Sequence, residues 1–233
     1  EEVLLFVYNS AYTIHMDRKF MFHILIVGVC IMLGATFIYF REEPVLNDAP
    51  YRNTHLSIEE RVEDLLSRMT LKEKIGQMML VEKNSMSLGD VATYGIGAVL
   101  SGGGGKPAEN TPEGWRVMTN TFLAESRTSR TGTPILYGVD ANHGQGNVPG
   151  ATIFPHQIGL GATRDSDLVL QIARATAEES LAIGTSWIFS PSLDLPTDIR
   201  WGRVYESFSS DTKIAGELGA AFVRGLQATP GLL

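Results

Sequence analysis

Ile135-Leu136-Tyr137-Gly138-Val139-Asp140-Ala141-Asn142-His143-Gly144-Gln145-Gly146-Asn147-Val148 is the stretch that decides the fold. An apolar run of strand length ends on a carboxylate and passes at once into a polar, glycine-rich loop. A carboxylate at the end of a buried strand is costly unless it has partners. The donor-rich loop that follows suits a site that grips hydroxyl groups. A strand ending in this way points to an α/β fold, whose sites lie just beyond the C-terminal ends of its strands.

The same grammar extends in both directions. Upstream, Ile96–Ser101 is a short apolar strand followed by Gly102–Gly105; downstream, Trp187–Ser190 is a third strand leading into a loop with Asp194 and Asp198. Helical periodicity falls between and after them, over 113–126, 167–183 and 211–227. Ser57-Ile58-Glu59-Glu60 and Thr70-Leu71-Lys72-Glu73 each present a hydroxyl with an acid three residues on, the pattern of a capping box. Ile58, Val62, Leu65, Leu66 and Met69 then share one helical face. The order β-α-β-α-β-α with near-continuous apolar strands predicts a parallel sheet buried on both faces. A doubly wound sheet and part of a (β/α)₈ barrel both fit; a whole barrel takes ~250 residues, so about three β/α units would be present.

Ahead of this domain, Phe20–Phe40 contains no charged residue and matches the ~20 residues that cross a bilayer as a helix. Arg18 and Lys19 precede it, and Met16 is a candidate start. Bulky Thr36-Phe37-Ile38-Tyr39-Phe40 makes a poor cleavage site, so the run reads as an uncleaved signal anchor within an N-terminal tail, residues 1–41. A cleaved signal peptide and a buried core helix are the alternatives. The expectation is an exported protein, anchored facing the periplasm or extracellular space, or secreted if the signal is cut. Residues 42–56, with Pro44 and Pro50, read as a linker, and 57–233 as one incomplete domain.

Composition removes several classes of function. Hydrophobic residues at 44% and charged residues at 19% exclude wholesale disorder. Lys+Arg 19 against Asp+Glu 26 leaves a net charge of −7, so there is no basic excess for nucleic acid. One Cys excludes an intramolecular disulfide framework and a Cys-based zinc site, and the 5 His form no metal-binding tract. No metal or cofactor is expected. Gly102–Gly105 with Lys106 and Pro107 fails as a phosphate loop, because Leu100 stands where the first Gly belongs and Pro107 where the hydroxyl belongs. It reads as a flexible turn.

Two stretches carry the candidate chemistry. Asp140 is read as a ligand-binding carboxylate, His143 as a hydrogen-bonded loop anchor without a second metal ligand, and His156 as a side chain that packs a turn. Arg200-Trp201-Gly202-Arg203-Val204-Tyr205-Glu206-Ser207 combines a planar fork of donors with a flat apolar face, which match the hydroxyls and the C–H face of a sugar. Arg203 is assigned to ligand contact. Arg200 and Glu206 are assigned to architecture, an arginine of the run pairing with Asp198 or Glu206. From residue types alone, Asp140 with Asp198 or Glu206 would be the catalytic dyad.

Together with Arg61–Met78, Val99–Gly104 and Ala151–Asp165, these two stretches resemble the N-terminal domain of glycoside hydrolase family 3, the β-glucosidases and exo-β-glucanases. Five motifs stand in the family's order from Ser57 to about Gln227. The resemblance implies a (β/α)₈-like domain and hydrolysis of terminal non-reducing β-D-glucosyl residues, with retention through a carboxylate nucleophile and a second carboxyl as acid and base. It also implies that Asp140 and Arg203 bind the terminal sugar, and that Asp140 is not the nucleophile. The family's Lys-His pair, nucleophile and acid/base fall beyond Leu233, so no catalytic residue is assigned here and the chain alone is expected to be inactive. Ile199 stands where a proline is usual, and Asn142 where a small apolar residue is usual. The expected partner is a β-glucan or β-glucoside oligosaccharide, with the membrane reached through Phe20–Phe40. A non-catalytic, membrane-tethered carbohydrate-binding module and a phosphate-binding barrel enzyme are the competing readings.

Overall fold

The computed structural model describes residues 46–232, together with Ile26, Val27 and Val29 of the N-terminal run. Those three residues are helical and exposed. The rest of the signal-anchor expectation over Phe20–Phe40 lies outside the described residues. Among the described residues, no helix is long and apolar enough to cross a membrane.

Helix α1, Ile58–Arg68, and helix α2, Leu71–Gln77, both begin where the capping boxes place them. The Ser57 hydroxyl accepts from the Glu60 amide at 3.2 Å while the Glu60 carboxylate accepts from the Ser57 amide at 2.9 Å. Thr70 and Glu73 repeat the exchange at 3.3 and 2.8 Å, so each box satisfies two donors that a helix start leaves open. The apolar face of α1 is only partly covered, with Ile58 71% exposed and Met69 buried.

Four parallel strands follow, in the spatial order β1-β2-β3-β4: Leu80–Glu82, Ala98–Ser101, Leu136–Val139 and Trp187–Ile188. Val81 lies opposite Val99, Val99 opposite Tyr137, and Val139 opposite Ile188. The α/β class and the parallel sheet are as the sequence predicts, but the sheet has one strand more. The extra strand, β1, has three residues directly after a helix, too few to show a period. The last strand is shorter than the apolar run Trp187–Ser190, although the Phe189 amide still donates to the Val139 carbonyl at 3.0 Å.

Between the strands run α3, Asp90–Tyr94, and α4, Pro112–Thr128, then α5, Gln157–Thr163, and α6, Ser166–Ala182; α7, Thr212–Gln227, closes the order. Asp165 caps α6 through two amides at 3.0 Å each, and Asp211 caps α7 at 2.8 and 3.2 Å. The core lies between sheet and helices, built from Val99, Val139, Trp115, Val169, Ala177 and Phe222, each no more than 1% exposed. Gly102–Gly105 forms a tight turn in which the Gly105 amide donates to the Gly102 carbonyl at 2.8 Å.

Residues 46–56, read as linker, are bonded to the domain. Tyr51 is buried, its hydroxyl donates to the Thr131 carbonyl at 2.5 Å, and the Arg52 guanidinium reaches the same carbonyl at 2.9 Å. Next to that contact, Arg130 grips Glu73 through Nε at 2.8 Å and Nη2 at 2.6 Å. The pair holds the Glu73 carboxyl well below its usual range, at about 2. Because the folded value lies below the unfolded one, this stabilisation is present above about pH 4.5 and is lost as pH falls toward 2. Glu73→Gln should therefore cost about 1 kcal/mol at neutral pH, with the loss shrinking in acid. Urea midpoints of both proteins between pH 6 and 2.5 check this; curves that stay parallel would contradict it.

Helix α5 touches the segment that carries the candidate site. A Cβ on Gly161 would overlap the Phe208 carbonyl oxygen, a backbone atom that no side-chain adjustment moves. Gly161→Ala should destabilise the fold by about 3 kcal/mol, at the upper end of overpacking effects, measured by denaturant unfolding.

Candidate functional site

The polar loop after β3 and the turn that carries Tyr205 and Glu206 enclose one cavity of 220 Å³. Asp140, directly after β3, lines it together with Asn142, His143, Gln145, Tyr205 and Glu206. Asp140 is exposed to solvent, and its carboxylate has no hydrogen-bond partner among the described residues. Its acceptor oxygens are thus available to a ligand. The next residue, Ala141, is buried with φ 45°, a left-handed conformation that costs a non-glycine residue about 1–2 kcal/mol.

The segment after β4 supplies the other wall. Glu206 is 6% exposed and sits on a short 3₁₀ turn, Val204–Glu206. Its Oε1 accepts from Arg203 Nε at 2.9 Å, and its Oε2 from Arg203 Nη2 at 2.5 Å and from Asn142 Nδ2 at 3.0 Å. The Arg203 guanidinium holds the Glu206 carboxyl below its ordinary range, against the opposing effect of burial. Glu206 therefore stays ionised with both oxygens engaged. Arg203 keeps 58% of its side chain exposed next to Glu206, and is not itself among the residues that line the cavity. Arg200 forms an exposed pair with Asp198, its Nε 3.0 Å from Oδ1 and its Nη2 2.5 Å from Oδ2. Both pairings that the sequence allowed are made, one by each arginine.

His143 anchors its loop, as expected. The Phe154 amide donates to the His143 carbonyl at 2.8 Å, and the ring Nδ1 lies 3.2 Å from the Phe154 carbonyl. His156 packs a turn but is not alone. Its ring packs at a tilt against His143 with centroids 4.1 Å apart and makes an edge contact with Tyr205 at 4.7 Å. Burial, and then the neighbouring His143, push its pKa below the ordinary histidine value, with Glu206 pulling the other way. Among the described residues no cluster of three or more His, Cys, Asp or Glu could hold a metal ion.

The cavity therefore offers one open carboxylate, and an exposed guanidinium is held against one of its lining residues, Glu206; together they are a means of binding hydroxyl groups. The dyad suggested by residue types alone is not assembled, because Glu206 is spent on Arg203 and Asn142, and Asp198 on Arg200. Sequence reasoning does not single out Asn142 or Ser190 as members of the site.

Residues 70–232 match the profile of the Glycosyl hydrolase family 3 N terminal domain. This chain belongs to glycosyl hydrolase family 3. It is 35% identical over 186 residues to a lysosomal beta glucosidase from Dictyostelium discoideum, covering 71% of this chain and 22% of that protein. The crystal structure of an exo-1,3/1,4-beta-glucanase from a Pseudoalteromonas species superposes with a TM-score of 0.69 at 35% identity, covering 79% of this chain and 23% of that one. A mutant beta-glucosidase from Listeria innocua, solved in complex with laminaribiose, gives a TM-score of 0.58 at 33% identity over 74% of this chain and 24% of its own. The chain spans about a quarter of the length of these relatives. The four-stranded parallel sheet is accordingly part of a TIM-barrel-like α/β domain.

Proposed function

We propose that the protein to which this chain contributes releases terminal β-D-glucosyl residues from β-glucosides or β-glucan oligosaccharides, with retention of configuration. The observation that carries the reading is a carboxylate, Asp140, without a partner among the described residues, in the cavity beyond the end of β3, with the exposed guanidinium of Arg203 bonded to Glu206, which lines the same cavity. A carboxylate accepts from vicinal hydroxyls and a guanidinium donates to them, so the two together grip the ring that is being transferred. The named relatives, β-glucosidases and an exo-glucanase, support the same substrate class.

In this reading the chain binds and orients the sugar, and the nucleophile and acid/base come from elsewhere in the protein. Retaining hydrolysis needs two carboxyl groups about 5–5.5 Å apart across the anomeric carbon, one of them free to attack. Glu206 and Asp198 are both committed to arginines, which supports assigning the chemistry to other residues. Export through Phe20–Phe40, with the domain on the far side of the membrane, is part of the proposal. Expressing the complete reading frame and assaying it on an aryl β-glucoside and on an aryl phosphate tests it. Release of aglycone from the glucoside alone is expected; cleavage of the phosphate alone would overturn the reading in favour of a phosphate-binding barrel enzyme.

A further inference from the structure

Asp140 and Arg203 belong to different loops, 63 positions apart in sequence, and their spacing must be set by something. The connection runs through a single side chain. Asn142 Nδ2 donates to Glu206 Oε2 at 3.0 Å, and Asn142 Oδ1 accepts from Ser190 Oγ at 2.6 Å. A carboxylate can only accept, so the partners themselves fix which end of the amide faces which loop. The Ser190 hydroxyl also lies 2.8 Å from the Asp140 carbonyl, so its one proton is shared between residues 140 and 142. The Asn142 carbonyl is held in turn by Nε2 of the fully buried Gln157, at 2.5 Å. Left-handed Ala141 is thus clamped on both sides by bonds from the β4 loop, from α5 and from the 204–206 turn.

On the other side, Arg203 Nη2 and Asn142 Nδ2 converge on the same oxygen of Glu206. An ion pair three residues apart, with the arginine largely exposed, does little by itself to fix a guanidinium relative to another loop. Glu206 is buried, and the donor from Asn142 attaches it to the strand end that carries Asp140. We propose that Asn142 is a positioning residue for the sugar subsite, setting the distance between Asp140 and Arg203 through Glu206. This deepens the reading of those two residues as sugar contacts and rests on it. Valine fills similar space without a donor, and aspartate has the same shape but turns an acceptor and a like charge toward Glu206.

The test uses the complete reading frame with Asn142→Val and Asn142→Asp, assayed on an aryl β-glucoside across pH. Asn142→Val should lower kcat/KM by about 10- to 100-fold, the cost of misplacing a positioning contact by a fraction of an ångström to an ångström, and the loss should be constant with pH. Asn142→Asp should lose at least as much at neutral pH and recover toward wild type in acid, where its protonated carboxyl donates to Glu206. A merely structural role would reduce folded protein without giving the two variants different pH profiles, and either parallel profiles or an unchanged kcat/KM for Asn142→Val would overturn the proposal. Should Asn142→Val fail to fold, the pH recovery of Asn142→Asp decides. If the wild-type protein does not turn over a β-glucoside, the functional reading fails separately. The linkage is then judged on this chain by the urea midpoints of Asn142→Asp, Arg203→Ala and the double variant: non-additive shifts support it, and additive shifts overturn it.

Discussion

Asp140→Ala in the complete protein is expected to lower kcat/KM on an aryl β-glucoside by about 10³-fold, ~4 kcal/mol of transition-state stabilisation. Asp140 is exposed, lines the cavity after β3, and has a carboxylate free of partners among the described residues. A charged acceptor to a hydroxyl is worth about 1.5–3 kcal/mol, and a carboxylate that takes two vicinal hydroxyls contributes twice. Hydrogen bonds to ring hydroxyls strengthen as positive charge develops at the anomeric carbon, so the loss should appear in kcat as well as in KM. Asp140→Asn, which keeps one acceptor but not the charge, should lose less. The urea midpoint should hardly move, because the removed group supports no contact in the fold. A loss of kcat/KM below tenfold would remove Asp140 from the sugar subsite. Arg203→Lys provides the matching check from the arginine bonded to Glu206: a point charge cannot reproduce the fork, so binding should weaken about tenfold, and Glu206 loses one of its two arginine bonds.

What the sequence made legible was local. The capping boxes at Ser57 and Thr70 span four residues each, and both starts are where the pattern puts them. β2 and β3 announce themselves as apolar runs because both faces are buried. β1 does not, since an outer strand of three residues, partly exposed, leaves no pattern. The site shows the same division. Asp140 stands out because an acid at a strand end is conspicuous, and Arg203 because it lies in a dense run of donors and an aromatic. Their linkage does not stand out. Asn142 meets Glu206 across 64 positions, and Ser190 across 48, through side chains whose partners no local spacing encodes. The contact of His156 with His143 is hidden likewise, because the loop between them must fold back before the rings can meet. Sequence reading gives Glu206 to architecture, and only the geometry shows it bonded to Arg203 and Asn142 beside the candidate subsite.

This chain alone should not hydrolyse an aryl β-glucoside above the uncatalysed rate. A retaining glycosidase must place a nucleophilic carboxylate against the anomeric carbon and an acid within about 5–5.5 Å of it. Three acidic residues are candidates for the dyad that residue types suggest. Glu206 has both oxygens engaged by Arg203 and Asn142, and its depressed pKa leaves it without a proton to donate. Asp198 is likewise held by Arg200, which keeps its carboxyl below the ordinary range. That leaves Asp140, and one free carboxylate can orient a sugar but cannot act as both nucleophile and acid. Binding should persist where turnover does not: weak glucose binding to this chain, abolished by Asp140→Ala, is the companion observation in a titration. Robust turnover by the purified chain that disappears on changing Asp140, Asp198 or Glu206 would show that the dyad lies within it. Arg203 would then have to release Glu206 on substrate binding, and the division between a sugar-gripping loop pair and a separate catalytic pair would be wrong.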